Sequence, residues 1–386
     1  MYAYYPYREF YLPTRIAMGR GSIGNVGKEF LKFGAKKIMI VTDPGIEKAG
    51  ITKPVKEALE ADEVTYALYA EVEANPTTVG CAKASEVYAR EKCEAVLGVG
   101  GGSSIDTAKA VSVVATNGGK IEDYVGLNLY KNPPAPLIII PTAVGTGSEV
   151  TRGLVVTDVK THKKVVPRGM TMYPLVAILD PEVVQTLPPR ITAGTGIDAL
   201  THAIEGYVSI YWNPVSDALH RHAILLIGQN LREAVANSAN LDAIGNMQMA
   251  STLAGMAFTN TGLGLVHAMS HPVGAHFNTP HGETNAILLP LVMRFNWIAD
   301  VERFAEIALL LGAKRDLSRL ELAKISPDMV SELNRDVGIP RGLADLGVDK
   351  GACEMLAKEV LTETFLPFNP RKATVEDYAE IYRKAM

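Results

Sequence analysis

The chain of 386 residues reads as an α/β plus all-α protein. Its N-terminal part fits an open parallel sheet with helices on both faces, and its C-terminal part is purely helical. Three observations carry this. Apolar runs such as KIMIV (37–41), Glu94–Val99 and Leu137–Ile140 are continuous rather than alternating, the texture of parallel strands buried on both faces. Helical periodicities alternate with these runs as far as Leu179. Beyond Asp180-Pro181 the strand signal ends, and TLPPR (186–190) opens a series of long helical patterns. These predict an α/β domain over 1–183 and a helical domain over 184–386.

Taken in order, the Tyr-rich opening MYAYYPYREFYLPTR reads as an extended arm ending at Pro13. A turn follows, then a helix with Val26, Phe30 and Phe33 at helical spacing. The first buried strand, from Lys37, stops at Asp43-Pro44-Gly45. Next come a helix over about 52–61, a strand over 64–69, and a helix opened by Asn75-Pro76-Thr77 and reaching about Lys92. The strand Glu94–Val99 runs into the turn Gly100–Ser104 and a helix over 104–115. Leu137–Ile140 enters PTAVGTGSE (141–149); residues 155–158 and 164–166 form a hairpin; Val176–Leu179 is the last strand.

Apolar content of 47% and charged content of 21% describe an ordinary soluble globular enzyme with room for two cores. A formal net charge of −4 argues against a nucleic-acid or membrane-surface partner. No apolar run approaches the roughly 18–20 residues of a membrane span, and the N-terminus lacks the pattern of a secretion signal. Cys81, Cys93 and Cys353 are odd in number and unpatterned, which reads as a reduced, cytoplasmic protein.

Two kinds of chemistry stand out. A strand, a glycine cluster and a helix start, as at Gly100–Ser103, make an anion site, because backbone N–H groups and the helix dipole converge there. The pattern is short of a full GxGxxG, and the best ribose-binding acid, Asp43, precedes the glycines instead of following them. The adenosine ribose is therefore expected at Asp43 and the pyrophosphate at Gly100–Ser103, with Thr142 and Thr146 on a second turn. An aspartate on the ribose favours NAD over NADP; the other reading of Asp43 is a turn residue before Pro44. The second signal is histidine: seven of the eight fall between His202 and His281. Asp198/His202 and His267/His271 are each four apart, so each pair shares a helix face. One carboxylate with several imidazoles and no thiolate suits a divalent cation.

The segments GGGSSIDTAKA, PTAVGTGSEVT, ILDPEVVQTLPPRITAGTGIDALTHAIEGYVS, NPVSDA and GLGLVHAMSHPVGAHFNTPHG together resemble the iron-containing alcohol dehydrogenases, nearly end to end. The resemblance implies a dehydroquinate synthase-like fold, with an N-terminal Rossmann-like parallel-sheet nucleotide-binding domain, a C-terminal helical metal-binding domain and the site in the cleft between them. It implies metal ligands at Asp198, His202, His267 and His281, with His271 as a further active-site histidine. NAD contacts would fall on Asp43, Asn75, Gly101, Gly102, Ser103, Thr142, Thr146, Thr151, Lys164 and Leu179. The implied reaction is hydride transfer between a small primary alcohol or diol and NAD. The metal, iron in the family, would act as Lewis acid on the alcohol oxygen; the ligand set alone also accepts Zn, Mn, Co or Ni. A homodimer or an assembly of dimers is expected.

Three positions depart from the family pattern: Glu283-Thr284 after the last ligand's glycine, Pro272 after His271, and His276-Phe277. Pro272 removes a backbone donor next to His271. Phe258, His276, Phe277 and the Gly153 segment are expected to line the substrate pocket. His220 and His222 are read as surface residues. Glu205 and Glu283 are read either as partners of ligand imidazoles or as ordinary surface carboxylates. The alternatives in function are a non-redox dehydroquinate synthase-like enzyme and a catalytically silent nucleotide-binding relative.

Overall fold

The computed structural model describes residues 7–161 and 163–386. Two compact units emerge, one of Pro13–Leu187 with Ser238–Thr252, the other of the N-terminal arm, Pro188–Asn237 and Leu253–Met386. The opening arm lies partly outside the described residues, as does His162.

In the first unit the strands are β1 (Arg15–Met18), β2 (Lys37–Val41), β3 (Thr65–Tyr69), β4 (Ala95–Gly100), the two-residue β5 (Gly126–Leu127), β6 (Leu137–Pro141), β7 (Val156–Asp158), β8 (Lys163–Val165), the two-residue β9 (Pro167–Arg168) and β10 (Val176–Leu179). Between them lie α1 (Val26–Lys32), α2 (Pro44–Lys48), α3 (Thr52–Ala61), α4 (Thr78–Glu91) and α5 (Gly102–Asn117). Six strands form one parallel sheet in the order β1-β10-β6-β4-β2-β3. β7 and β8 form the expected antiparallel hairpin. Met39, Val41, Val96, Leu137 and Ile139 of the sheet pack against Ala84 and Tyr88 of α4 and Ile105, Ala108 and Val111 of α5. Burial on both faces accounts for the unbroken apolar texture of β2, β4 and β6. In α1, Val26 and Phe30 are buried while Phe33, at its end, is 40% exposed. The edge strand β1 was not legible: RIAM is four residues long and begins with a charge, and only its pairing with β10 defines it.

The second unit is built from α6 (Pro189–Tyr207), α7 (Pro214–Ala236), the latter part of α8 (Leu241–Thr261), α9 (Leu265–Phe277), α10 (His281–Asn296), α11 (Val301–Leu310), α12 (Arg319–Asp336), α13 (Cys353–Val360) and α14 (Val375–Ala385). No strand occurs among its described residues. Proline at the first positions of α6 and α7 starts those helices without wasting a donor. From Gly196 to Tyr207 every residue of α6 is buried.

Candidate active site

Within the helical unit, three adjacent helices bring four side chains to one point. Asp198 and His202 sit one turn apart on α6, His267 on α9, and His281 opens α10. The Nε2 atoms of His202 and His267 each lie 4.0 Å from Asp198 Oδ1, and that of His281 lies 3.8 Å from it. Ligand atoms of Asp198, His267 and His281 all fall within 4.8 Å of one another. Donors about 2.0–2.2 Å from one shared cation stand at about this spacing.

Partners on the far side of the rings set their orientation. Glu205, one turn beyond His202, places Oε2 2.6 Å from His267 Nδ1, while its Oε1 accepts from Val266 N at 2.5 Å. With its Nδ1 proton committed to Glu205, His267 presents the Nε2 lone pair to the shared point. Asn285, one turn after His281, donates from Nδ2 to Asp198 Oδ1 at 2.7 Å and lies 3.0 Å from His281 Nε2. Its own Oδ1 is buried without a hydrogen-bond partner. An amide wedged among ligand atoms with its oxygen orphaned marks a polar centre that protein atoms alone do not complete. The donor set is neutral imidazole plus one carboxylate, so a divalent cation fits it.

The approach of α10 to α6 is close. A Cβ on Gly282 would stand 2.4 Å from the Gly194 carbonyl oxygen, so only glycine lets His281 reach the point. Next to it, Glu283 is held by both nitrogens of the Arg190 fork at 2.5 and 2.8 Å. His271 lies one turn beyond His267, its ring 5.8 Å from that of His281 and edge-on to Phe365 at 5.2 Å. Its Nδ1 is 3.1 Å from Glu363 Oε2. Phe258 stacks on His202 at 4.5 Å.

In the α/β unit, the residues expected to meet a nucleotide gather at the carboxyl edge of the parallel sheet, where such folds bind ligands. Asp43 follows β2, Asn75 follows β3, Gly101–Ser103 follow β4, Thr142 and Thr146 follow β6, and Leu179 ends β10. Gly100 has φ +149° and carries the chain from β4 into α5, a conformation closed to other residues. Asp43 Oδ1 caps α2 through Gly45 N and Ile46 N at 2.9 and 3.0 Å, and its Oδ2 accepts from Ser104 at 3.2 Å. Ser103 Oγ donates to Ala74 O at 2.6 Å, beside Asn75. Thr142 N donates to Gly100 O at 3.0 Å, joining the two turns. Lys164 lies on β8, opposite Thr157 of β7, and Thr151 is buried.

Residues 13–181 match the family model "Iron-containing alcohol dehydrogenase", and residues 192–386 match "Fe-containing alcohol dehydrogenase family, C-terminal". The chain is 40% identical over 378 residues to the NAD-dependent methanol dehydrogenase of Bacillus methanolicus, covering 98% of this chain and 99% of that protein. It is also 40% identical over 381 residues to the 1,3-propanediol dehydrogenase of Citrobacter freundii, covering 98% of each. A crystal structure of 1,3-propanediol oxidoreductase superimposes with a TM-score of 0.96 at 40% identity, over 99% of this chain and all of that one.

The chain belongs to the iron-containing alcohol dehydrogenase family. It is an oxidoreductase acting between alcohols and aldehydes, with the family's fold.

One expectation about this dehydrogenase needs correction. His220 is not a surface residue: it is fully buried on α7, with Nε2 3.2 Å from Thr261 Oγ1, and burial pushes its imidazole down to about 3. Of the two candidate carboxylates, Glu205 does orient a ligand-position imidazole, whereas Glu283 serves Arg190. His276 is exposed and pairs with Glu359 of α13 at 2.9 Å. Pro272 leaves α9 unbroken from Leu265 to Phe277. Roles for Asn285, Glu363, Asp106 and Lys109 are not among those expected from the sequence. Only Asn285 carried a usable signal, its four-residue step from His281; the others reveal themselves through partners distant in sequence.

Proposed function

We propose that the chain catalyses reversible hydride transfer between a small primary alcohol or diol and NAD, with a divalent metal, iron by family, held by Asp198, His202, His267 and His281. The observation that carries this is the convergence of three imidazole Nε2 atoms within 3.8–4.0 Å of one carboxylate oxygen. The bound cation would supply Lewis acidity to the substrate oxygen, lowering the barrier to its deprotonation. Glu205 keeps the His267 tautomer fixed for ligation. His271, held with Nδ1 toward Glu363 and its ring beside that of His281, handles the alcohol proton. Its neighbour Phe365 and the stacked Phe258 give the surroundings an apolar character suited to a short alkyl chain. The carboxyl edge of the sheet, from Asp43 to Leu179, takes the dinucleotide, and the Asp43 carboxylate favours NAD by repelling a 2′-phosphate.

The assembly proposed is a homodimer or a set of dimers, in the cytoplasm. Three buried unpaired thiols agree with a reducing compartment, and no helix of the described residues is long and apolar enough to cross a membrane.

The test is NADH formation by metal-stripped protein before and after anaerobic reconstitution with Fe(II). Ethanol, 1-propanol, 1,2-propanediol and 1,3-propanediol are run side by side. Activity that returns only with metal is expected, and the ranking of alcohols names the substrate class. His267→Ala and His281→Ala are expected to lose metal yet still bind NADH. Silence with every alcohol and ion, or full metal occupancy in either variant, overturns the proposal.

A further inference from the structure

We propose that Asp106 and Lys109 of α5 form a clamp that holds the segment Ser148–Val155, and through it the β7–β8 hairpin, in the conformation that receives the dinucleotide. The inference rests on the reading of this sheet edge as the NAD site. No metal ligand takes part.

Asp106 and Lys109 lie one turn inside α5, just beyond the glycine turn that opens it. Three residues apart, they share a face of the helix. The Lys109 side chain has no exposed surface. Its Nζ is surrounded by Gly153 O at 2.8 Å, Thr151 Oγ1 at 2.9 Å, and Ser148 Oγ and Thr151 O at 3.0 Å each. Four oxygens of uncharged groups meet a group with three protons, while the buried Asp106 and Glu149 carboxylates act on it without direct contact. The ammonium therefore sits in a cage of neutral oxygens, as a resident cation would. Asp106 completes the hold: Oδ1 accepts from Ser148 Oγ at 2.7 Å and Oδ2 from Val155 N at 2.8 Å.

An apolar side chain would fill this space with less desolvation, so packing does not explain the choice. What lysine adds is donors. The stretch meets β9 only through the isolated Gly153–Arg168 bridge, whose bonds use Arg152 O and Leu154 N and leave the carbonyls of Thr151 and Gly153 and the amide of Val155 to other partners. Two side chains of one rigid helix satisfy all three groups. Burial pushes the Lys109 ammonium down to about 8, against the Asp106 and Glu149 carboxylates that pull it up.

The held segment leads to residues that the nucleotide would touch. Thr151 is in the cage itself. Val155 runs directly into β7, whose Thr157 pairs with Lys164 of β8. Thr157 N also donates to Pro76 O at 2.8 Å, next to Asn75. Thr151, Lys164 and Asn75 are thus positioned relative to Ser103 through α5, the same helix that begins at the glycine turn. Asp106 and Lys109 are positioning residues; neither needs to contact NAD.

The experiment is NADH titration by fluorescence on the full chain loaded with metal, with parallel steady-state kinetics, comparing wild type, Lys109→Met, Asp106→Ala and Asp106→Asn. The asparagine keeps an oxygen for Val155 N and a polar partner for Ser148. Losing the clamp lowers the fraction of binding-competent protein, so Lys109→Met and Asp106→Ala should weaken NADH binding about tenfold or more and raise the KM for NAD similarly. Metal content and kcat at saturating NAD should stay near wild type, and Asp106→Asn should recover most of the affinity. NADH binding unchanged in both Lys109→Met and Asp106→Ala overturns the clamp. So does an Asp106→Asn variant no better than Asp106→Ala, with metal and NADH lost in parallel. Should Lys109→Met not fold, the two Asp106 variants decide. A wild-type chain that binds no NADH instead overturns the nucleotide reading itself, a result distinct from unaffected variants.

Discussion

Glu205 and His267 are 62 residues apart in sequence and 2.6 Å apart in space, a carboxylate oxygen against Nδ1. Both are buried, and the same carboxylate accepts from Val266 N, the amide just before His267 in the first turn of α9. One side chain thus fixes the ring orientation of a ligand-position histidine and the start of the helix that carries it.

Removing that carboxylate tests its importance. Glu205→Ala should weaken metal affinity about 10–100-fold, the range for lost partners of ligating histidines, as read by competition with a chromogenic chelator. Glu205→Gln, able to accept one of the two hydrogen bonds, should fall between. An alanine variant with unaltered affinity would show that the His267 ring is held by packing alone.

His271 presents a different expectation, because it stands beside the four ligand-position residues without joining them. His271→Gln should keep its metal and lose rate, by about 10²–10⁴-fold if the ring handles the alcohol proton. The loss should also flatten the pH dependence of kcat. A variant that loses its metal would instead make His271 a ligand.

Gly282→Ala probes how closely α10 approaches α6. The added methyl would meet Gly194 O at 2.4 Å, and since that oxygen belongs to backbone, a helix must shift. A destabilisation of about 1–3 kcal/mol is expected in urea unfolding, together with weaker metal binding because His281 is the adjacent residue. Wild-type stability and affinity would mean that the helices absorb the methyl elsewhere.

The buried His220 predicts an acid-sensitive fold. Its folded-state pKa is depressed, from the usual 6.5 to about 3. Between those values the unfolded chain takes up a proton that the folded chain refuses. The stability contributed by keeping this ring neutral is therefore full above pH 6.5 and is lost as pH falls through that window, by up to ~1.4 kcal/mol per pH unit. His220→Gln should lose less stability than wild type between pH 7 and 4, measured by urea midpoints. Equal slopes would place the acid sensitivity in other groups.

What the sequence determined by itself was everything that depends on local pattern. The parallel strands were legible because burial on both faces forces unbroken apolar runs, as in KIMIV and LIII, and Val176–Leu179 falls where it was expected. The Asp198/His202 and His267/His271 pairs were legible because the helix repeat fixes a four-residue step. The glycine turn after β4 showed itself through composition. Tertiary structure decided the rest. Edge strand β1 exists only through β10, because four residues carry no periodicity of their own. His220 looked exposed within HRH, yet helix α7 turns that position inward, where it meets Thr261 of α8. Whether Glu205 or Glu283 would serve a histidine, and what would surround Lys109, depended on which helices and turns pack together. Hydrogen-bond partners dozens of residues apart are chosen by that packing, and no local spacing encodes them.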